Sequence, residues 1–155
     1  MAEPIVYLDK VSIKNNGKII FSNIDLKVMP GEFIFLIGKT GAGKSSLIKV
    51  INADKDLSEG LGRVVGFSLN KIKEREIPLL RRKIGIVFQD FKLLDDRNIF
   101  DNLSFVLKST GWKDKEMISS RINEVLKMVN VVENPKKFPF ELSGGEQQRV
   151  AIARS

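Results

Sequence analysis

One run of eight residues constrains this 155-residue chain more than any other feature. It extends from Gly38 to Ser45 and matches the phosphate-binding pattern G-x-x-x-x-G-K-[ST] at every fixed position. Glycines in such a loop let backbone N–H groups surround phosphate oxygens, and the positive end of the following helix points at the same place. Lys44 would add a full charge beside the β- and γ-phosphates, and Ser45 would offer its hydroxyl to Mg²⁺. The sequence therefore predicts a nucleotide-binding loop.

The residues around this loop predict an α/β fold. The run 33–37 is apolar on both faces, as is typical of a buried parallel strand, and 84–88 repeats that pattern. Before them, 5–13 and 19–28 predict two strands around a turn at Asn15-Asn16-Gly17. The other predicted elements are a strand at 63–67 and helices at 44–52, 74–83, 98–109, 114–130 and from near Ser143 onward. This order favours an α/β domain with an antiparallel β portion near its start and an inserted helical segment.

The composition excludes several classes of protein. Apolar residues make up 43% of the chain, too many for a disordered protein, and no apolar run approaches the ~20 residues of a membrane-spanning helix. The chain has no cysteine and no histidine, which rules out disulfides, histidine metal sites and a Ser-His-Asp triad. The net charge is +7, but the basic residues are spread along the chain, which favours solvated faces over a nucleic-acid surface.

A second stretch, residues 142–149, predicts a helix start that could bind an anion. Ser143 and Glu146 form the capping-box pattern S-x-x-E. Gly144 and Gly145 then occupy the first helical positions, where each glycine costs about 1 kcal/mol relative to alanine. The motif is either only a cap or a site where bare N–H groups bind phosphate. The phosphate site explains the glycines better than a cap does.

Taken together, these motifs resemble those of the ABC ATPase family. The run 142–147 is similar to the family's signature motif, the loop at 38–46 to its Walker A motif, and Gln89, after the strand predicted at 84–88, to its Q-loop. The resemblance implies ATP and Mg²⁺ as cofactors, with Ser45 and Gln89 near the metal. The residues it assigns to nucleotide binding are Gly38, Lys39, Thr40, Gly41, Ala42, Gly43, Lys44, Ser45 and Ser46, and those of the signature are Leu142, Ser143, Gly144, Gly145, Glu146 and Gln147.

The resemblance also implies an assembly. ABC domains pair head to tail, so a homodimer would let Ser143 and Gly145 act on the partner's nucleotide. ATP binding would close this dimer and hydrolysis would open it. The implied divisions are 1–90 for the β portion and P-loop core, 91–142 for a helical subdomain, and 143–155 for the start of the signature helix. The helical subdomain would face an integral membrane partner at the cytoplasmic face of the plasma membrane, with no nucleic acid bound.

Residues 77–94 most resemble the bacterial cell-division subgroup of this family. That subgroup implies a membrane partner and control of peptidoglycan hydrolysis at the septum. ATPases of lipoprotein-release and macrolide-type exporters are the nearest alternatives, because they share the run 142–149. Phe91, Leu93 and Leu94 would either contact the membrane partner or pack in the core of the helical segment.

The match to the family fails in two places. The aromatic residue that usually stacks on adenine is absent from Lys14-Asn15-Asn16, and Tyr7 lies earlier on the strand. The family's Asp-Glu strand after the signature helix and its later histidine are also missing, since the sequence stops at Ser155. We therefore expect an incomplete core sheet, a parent ATPase truncated after its signature motif, and no useful hydrolysis by residues 1–155 alone.

Three other functions share part of this sequence pattern. A GTPase is disfavoured because Asn70-Lys71 continues with Ile72-Lys73 instead of the N-K-x-D pattern. A DNA-acting ATPase of the repair or condensin type is disfavoured by the short interval between Ser45 and Ser143. A non-catalytic module that pairs with intact ATPases and blocks them would also fit the missing residues.

Overall fold

The computed structural model of the protein describes residues 3–15, 17–131 and 135–155. These residues form two compact units, Met1–Ile84 and Gly85–Ser155. The first unit holds the β-sheet and the phosphate-binding loop, and the second is helical. Within the described residues, no helix is both long enough and apolar enough to cross a membrane.

The sheet of the first unit is antiparallel throughout. Its four strands within the described residues are β1 (Val6–Asn15), β2 (Lys18–Val28), β3 (Glu59–Val64) and β4 (Phe67–Ser68), in the order β2-β1-β3-β4. Leu8 and Val11 of β1 are both buried in the core although they are three residues apart, because the strand pairing shifts between them, at Lys10 with its positive φ of 47°. The two predicted N-terminal strands are confirmed, whereas Asn16 of the predicted turn lies outside the described residues.

Two helices pack beside this sheet. Helix α1 (Lys44–Ile51) directs Leu47 and Val50 into the core, and α2 (Ile77–Arg81) adds Leu80 after a 3-10 turn. Pro78 lies in the first turn of α2, where its missing N–H breaks no helical hydrogen bond. The buried core of this unit consists of Leu8, Val11, Ile13, Leu47, Val50, Val64, Leu69 and Leu80.

The two predicted buried strands at 33–37 and 84–88 are wrong for this structure. Both stretches are irregular, and Phe33 and Ile37 are 83% and 89% exposed. A strand that is apolar on both faces needs neighbours along its edges and cover on both sides. Within the described residues no strand pairs with either stretch, so no parallel sheet forms. The strand predicted at 63–67 divides into β3 and β4 around a turn at Gly66, whose φ is 87°.

The second unit is built from three helices. Within the described residues these are α3 (Ile99–Ser109), α4 (Lys115–Met128) and α5 (Gly144–Arg154), and a 3-10 turn at Pro139–Glu141 precedes α5. Asn98 and Asp114 cap α3 and α4, accepting from the N–H of Asp101 (2.8 Å) and of Met117 (2.9 Å). The helices bury Ile99, Leu103, Ile118, Ile122, Leu126, Leu142 and Val150. All three predicted helices are confirmed; residues 132–134 of the predicted helical segment lie outside the described residues.

Candidate nucleotide-binding site

The loop at 38–43 turns into α1 through left-handed glycines. Gly41 and Gly43 have φ values of 84° and 88°, a region that L side chains rarely adopt. At Gly43 the space is also closed, because a Cβ atom would lie 2.9 Å from side-chain atoms of both Ile20 and Phe21 on β2. The strand behind the loop therefore fixes how tightly the chain must turn there.

The ammonium group of Lys44 folds back into this loop. Its Nζ donates to the carbonyl oxygens of Gly38 (2.6 Å) and Lys39 (2.8 Å). Phosphate oxygens carry negative charge, so the ammonium group is attracted to them more strongly than to neutral carbonyl oxygens. The loop thus holds an ammonium group that can exchange its two carbonyl acceptors for the oxygens of an anion.

The N-terminus of α1 lacks a side-chain cap within the described residues. Gly43 occupies the capping position and has no side chain to accept the N–H groups of the first turn. Those groups and the positive end of the helix are left for an anion, and the Ser45 hydroxyl lies in the same turn. This donor set fits a phosphate chain. No cluster of three or more acidic, histidine or cysteine side chains among the described residues could hold a metal.

Gln89 lies in the second unit, ahead of a strained turn. Phe91 and Lys92, which follow it, both have positive φ values, 53° and 51°. The guanidinium of Arg154, at the end of α5, donates to the carbonyl oxygens of Phe91 (2.7 Å) and Lys92. Burial lowers the pKa of Arg154, which is consistent with its enclosed position. The end of the signature helix therefore fixes the backbone that follows Gln89.

Asn102 is a second residue that fixes this segment, and none of the sequence motifs predicts a structural role for it. It is fully buried on α3, where its Oδ1 accepts from the N–H of Leu94 (2.8 Å). Its Nδ2 donates to the carbonyl oxygens of Leu94, Arg97 and Asn98, each at 3.0 Å. The sequence signal that could have identified Asn102 is its place beside Ile99 and Leu103 on the apolar face of a predicted helix, where a polar side chain needs hydrogen-bond partners.

The hydrophobic residues after Gln89 were predicted either to contact a membrane partner or to pack in the core of the helical segment. Leu93 packs against the core of the second unit, so core packing is its role in this structure. Phe91 and Leu94 are half-buried, and their backbone atoms are held by Arg154 and Asn102.

The signature segment forms a complete capping box. The N–H of Ser143 donates to Glu146 Oε2 (2.8 Å), and the Ser143 hydroxyl donates to the same oxygen (2.5 Å). The N–H of Glu146 in turn donates to Ser143 Oγ (3.4 Å). The hydrogen bond from the Ser143 hydroxyl is the main cause that lowers the pKa of Glu146.

The two glycines of this motif are not required by packing. A Cβ atom built on Gly144 would meet nothing within 4 Å, and one on Gly145 would meet only the end of Arg149, at 3.7 Å. Leu142 is buried, and Gln147 donates from Nε2 to its carbonyl oxygen (3.1 Å). The start of α5 therefore leaves open space at both glycines.

The predicted site residues divide between the two units. Residues 38–46 lie in the first unit, and Gln89 and 142–147 lie in the second.

At the expected adenine position, Lys14 forms an ion pair with Glu59 (2.7 Å), and Asn16 lies outside the described residues. Tyr7 lies on β1 with its side chain 40% exposed.

Comparison with known proteins shows which family the chain resembles. The family model for ABC transporters matches residues 21–155. The chain is 41% identical over 147 residues to the cell division ATP-binding protein FtsE of Streptococcus pneumoniae, covering 95% of this chain and 64% of that protein. It is 45% identical over 140 residues to FtsE of Bacillus subtilis, covering 90% and 61%. The methionine import ATP-binding protein MetN of Helicobacter hepaticus is 44% identical over 140 residues, covering 90% and 40%.

Solved structures show the same likeness. The dimeric structure of MJ0796, a bacterial ABC transporter cassette, matches with a TM-score of 0.84 and 34% identity over 96% of this chain and 68% of that one. The same cassette, as a dimer in a post-hydrolysis state bound to ADP and Pi, matches with a TM-score of 0.83. The chain thus spans about two thirds of the length of the FtsE and cassette chains that it matches. The chain belongs to the ABC transporter ATP-binding family.

Proposed function

We propose that the whole protein is the ATP-binding and ATP-hydrolysing subunit of a membrane complex in cell division, with an FtsX-type integral membrane partner. The observation that supports nucleotide binding most is the P-loop, where Lys44 Nζ lies among loop carbonyls beside an uncapped helix N-terminus. Hydrolysis by the whole protein follows from its membership of the family. The FtsE relatives, at 41% and 45% identity, favour the division role.

In this proposal each motif has one task toward ATP. The N–H groups of 41–45 surround the β- and γ-phosphates, and Lys44 exchanges its carbonyl acceptors for phosphate oxygens. Ser45 would offer its hydroxyl to Mg²⁺, which, when bound, neutralises charge that develops on the phosphates. Gln89 keeps the metal-binding role that the resemblance to the Q-loop implies. Lys39, Thr40 and Ala42 complete the loop, and Ser46 lies in the first turn of α1.

The signature motif would serve a second copy of the protein. The dimeric cassettes that this chain resembles favour a homodimer. The open space at Gly144 and Gly145 supports close approach of a partner's phosphates there, with Ser143 as a hydroxyl donor. Such a dimer would lie at the cytoplasmic face of the plasma membrane through its membrane partner.

A co-purification experiment tests the proposal. The whole protein, co-expressed with an FtsX-type membrane protein, should purify with it in detergent and hydrolyse Mg-ATP, and Lys44→Ala should abolish hydrolysis without abolishing the complex. Failure to hydrolyse ATP with an intact complex would contradict the catalytic part. Hydrolysis without a complex would contradict the choice of partner.

A transport role is the second candidate. The MetN relative is 44% identical over 90% of this chain, which is as similar as the FtsE relatives are, so sequence identity does not separate the two roles. The same co-purification assay separates the two roles. The FtsX-type protein is replaced in turn by the membrane subunit of a methionine transporter, of a lipoprotein-release exporter and of a macrolide-type exporter. Co-purification with one of these instead would replace the division role.

A further inference from the structure

A cavity lies on the face of the sheet that points away from the core of the first unit. It has a volume of about 430 Å³, within the range of small-molecule sites. Tyr7, Lys27, Leu61, Arg63 and Ser68 line it. It contains none of the P-loop residues, so the nucleotide site does not account for it.

The strand register arranges the polar lining residues in a single row. Tyr7 of β1 pairs directly with Lys27 of β2 on one side and with Arg63 of β3 on the other. Arg63 pairs in turn with Ser68 of β4. Cross-strand partners have Cβ atoms ~5 Å apart on the same face, so two cations flank one aromatic ring. We name this group, Tyr7, Lys27, Arg63 and Ser68, the Tyr7 row.

The wall of the cavity is held in place by an asparagine. Asn70 Oδ1 accepts from the N–H of Gly62 (2.9 Å), and its Nδ2 donates to the carbonyl oxygen of Gly60 (2.8 Å). Gly60, with φ 86°, brings β3 so near β1 that a Cβ atom there would lie 2.4 Å from the carbonyl oxygen of Lys10. The amide of Asn70 is thus already used, and the cavity is formed before any ligand arrives.

The polar groups left over are of one chemical kind. The ammonium group of Lys27 and the guanidinium of Arg63 only donate hydrogen bonds, and the hydroxyls of Tyr7 and Ser68 can both donate. No carboxylate lines the cavity, and the ion pairs recorded among the described residues involve neither cation. A set of donors around two cations suits a ligand group that is anionic and rich in acceptors.

We propose that the Tyr7 row binds a small aryl or heteroaryl phosphomonoester. The phosphate group supplies a charge of −1.5 to −2 and acceptor oxygens for Arg63, Lys27 and the hydroxyls. The flat ring packs against Tyr7 and against Leu61, whose side chain is 60% exposed without it. This proposal is independent of the proposed ATPase function.

Titration calorimetry of the whole protein with phenyl phosphate tests it, with the P-loop saturated by a non-hydrolysable ATP analogue and Mg²⁺. Saturable binding is expected, weakened roughly tenfold by Arg63→Gln and by Lys27→Gln, and unchanged by Lys18→Gln, a matched exposed cation on β2 outside the cavity. Tyr7→Thr should weaken phenyl phosphate more than inorganic phosphate, because it removes the ring that packs against the phenyl group as well as displacing the hydroxyl.

Three results would overturn the proposal. These are no saturable heat up to about 10 mM phenyl phosphate, equal binding by wild type and Arg63→Gln, and loss of binding in Lys44→Ala, which would place the probe in the P-loop. If Arg63→Gln does not fold, as judged by its thermal melt, Arg63→Lys keeps the charge but loses two-pronged recognition and should still weaken binding.

Discussion

Two helices of this protein begin at motifs that are predicted to bind phosphate, but their N-termini differ. Helix α1 begins at Gly43, which has no side chain, and the charge nearby is the ammonium group of Lys44. Helix α5 begins at Ser143, and the Glu146 carboxylate accepts hydrogen bonds from both the N–H and the hydroxyl of that serine. One N-terminus is open and cationic, whereas the other is closed by its own anion.

This difference indicates a division of labour. An open N-terminus with a lysine attracts a phosphate chain by itself. A capped N-terminus has satisfied part of its donor set internally, so its remaining attraction for an anion is weaker. The second motif therefore suits a nucleotide that is already held elsewhere, as in the proposed dimer. The following experiments test that contrast, from the largest expected effect to the smallest.

Removing the cation from the open N-terminus should have the largest effect. Lys44→Ala is expected to lower ATP affinity of the whole protein by about 100-fold, because charged hydrogen bonds to phosphate are each worth ~1.5–3 kcal/mol. Lys49→Ala, an exposed lysine in the last turn of the same helix, is the matched control and should change little. Equal losses in the two variants, measured by calorimetry, would mean that general charge and not the loop binds ATP.

Substitutions at Gly41 and Gly43 test how closely the phosphate-binding loop packs against β2. Gly43→Ala adds a Cβ atom 2.9 Å from Ile20 and Phe21 to the strain of its positive φ, so we expect a loss of about 2–3 kcal/mol in unfolding free energy. Gly41→Ala has the same strain but open space, and should lose about 1 kcal/mol. Denaturant melts measure both; a larger loss at Gly41 would contradict the contact with β2.

The glycines of the capped N-terminus should behave in the opposite way. Gly144→Ala meets open space in a helical position and should stabilise the whole protein by up to about 1 kcal/mol. Gly111→Ala, at φ 103° after α3, should destabilise it. If Gly144→Ala stabilises the fold yet lowers ATP turnover, the space at this glycine serves function; unchanged turnover would argue that the motif is only a cap.

Sequence patterns predicted those parts of the protein whose stabilisation is local. The helices around Leu103, Ile122 and Val150 each carry an apolar stripe and a cap or capping box, and all three were predicted. The hairpin of β1 and β2 follows from alternation and a turn. The Walker A positions were predicted from the spacing G-x-x-x-x-G-K-[ST], and the signature positions from their resemblance to the ABC family; the binding roles of both stay predictions.

What the sequence could not give depends on residues far apart in the chain. The apolar runs at 33–37 and 84–88 meet the pattern of buried strands, but a strand needs partners, and none of the described residues supplies them. Arg154 contacts the backbone after Gln89 at Lys92, which lies 62 positions earlier in the chain. No local spacing indicates such a pair, so it was visible only in three dimensions.

The smallest effect concerns the anion that closes the start of α5. Hydrogen bonds from Ser143 lower the pKa of Glu146 below its usual value of 4.5, so the folded protein favours the carboxylate more than the unfolded chain does. The resulting stabilisation is complete above pH 4.5 and is lost as the pH falls through the lowered folded-state pKa. Carboxyl-carbon NMR titration of the whole protein should show Ser143→Ala moving that pKa back toward 4.5 and Ser143→Thr leaving it low. An unchanged pKa in Ser143→Ala would mean that the serine hydroxyl does not hold the carboxylate, and that the N–H of residue 143 holds it instead.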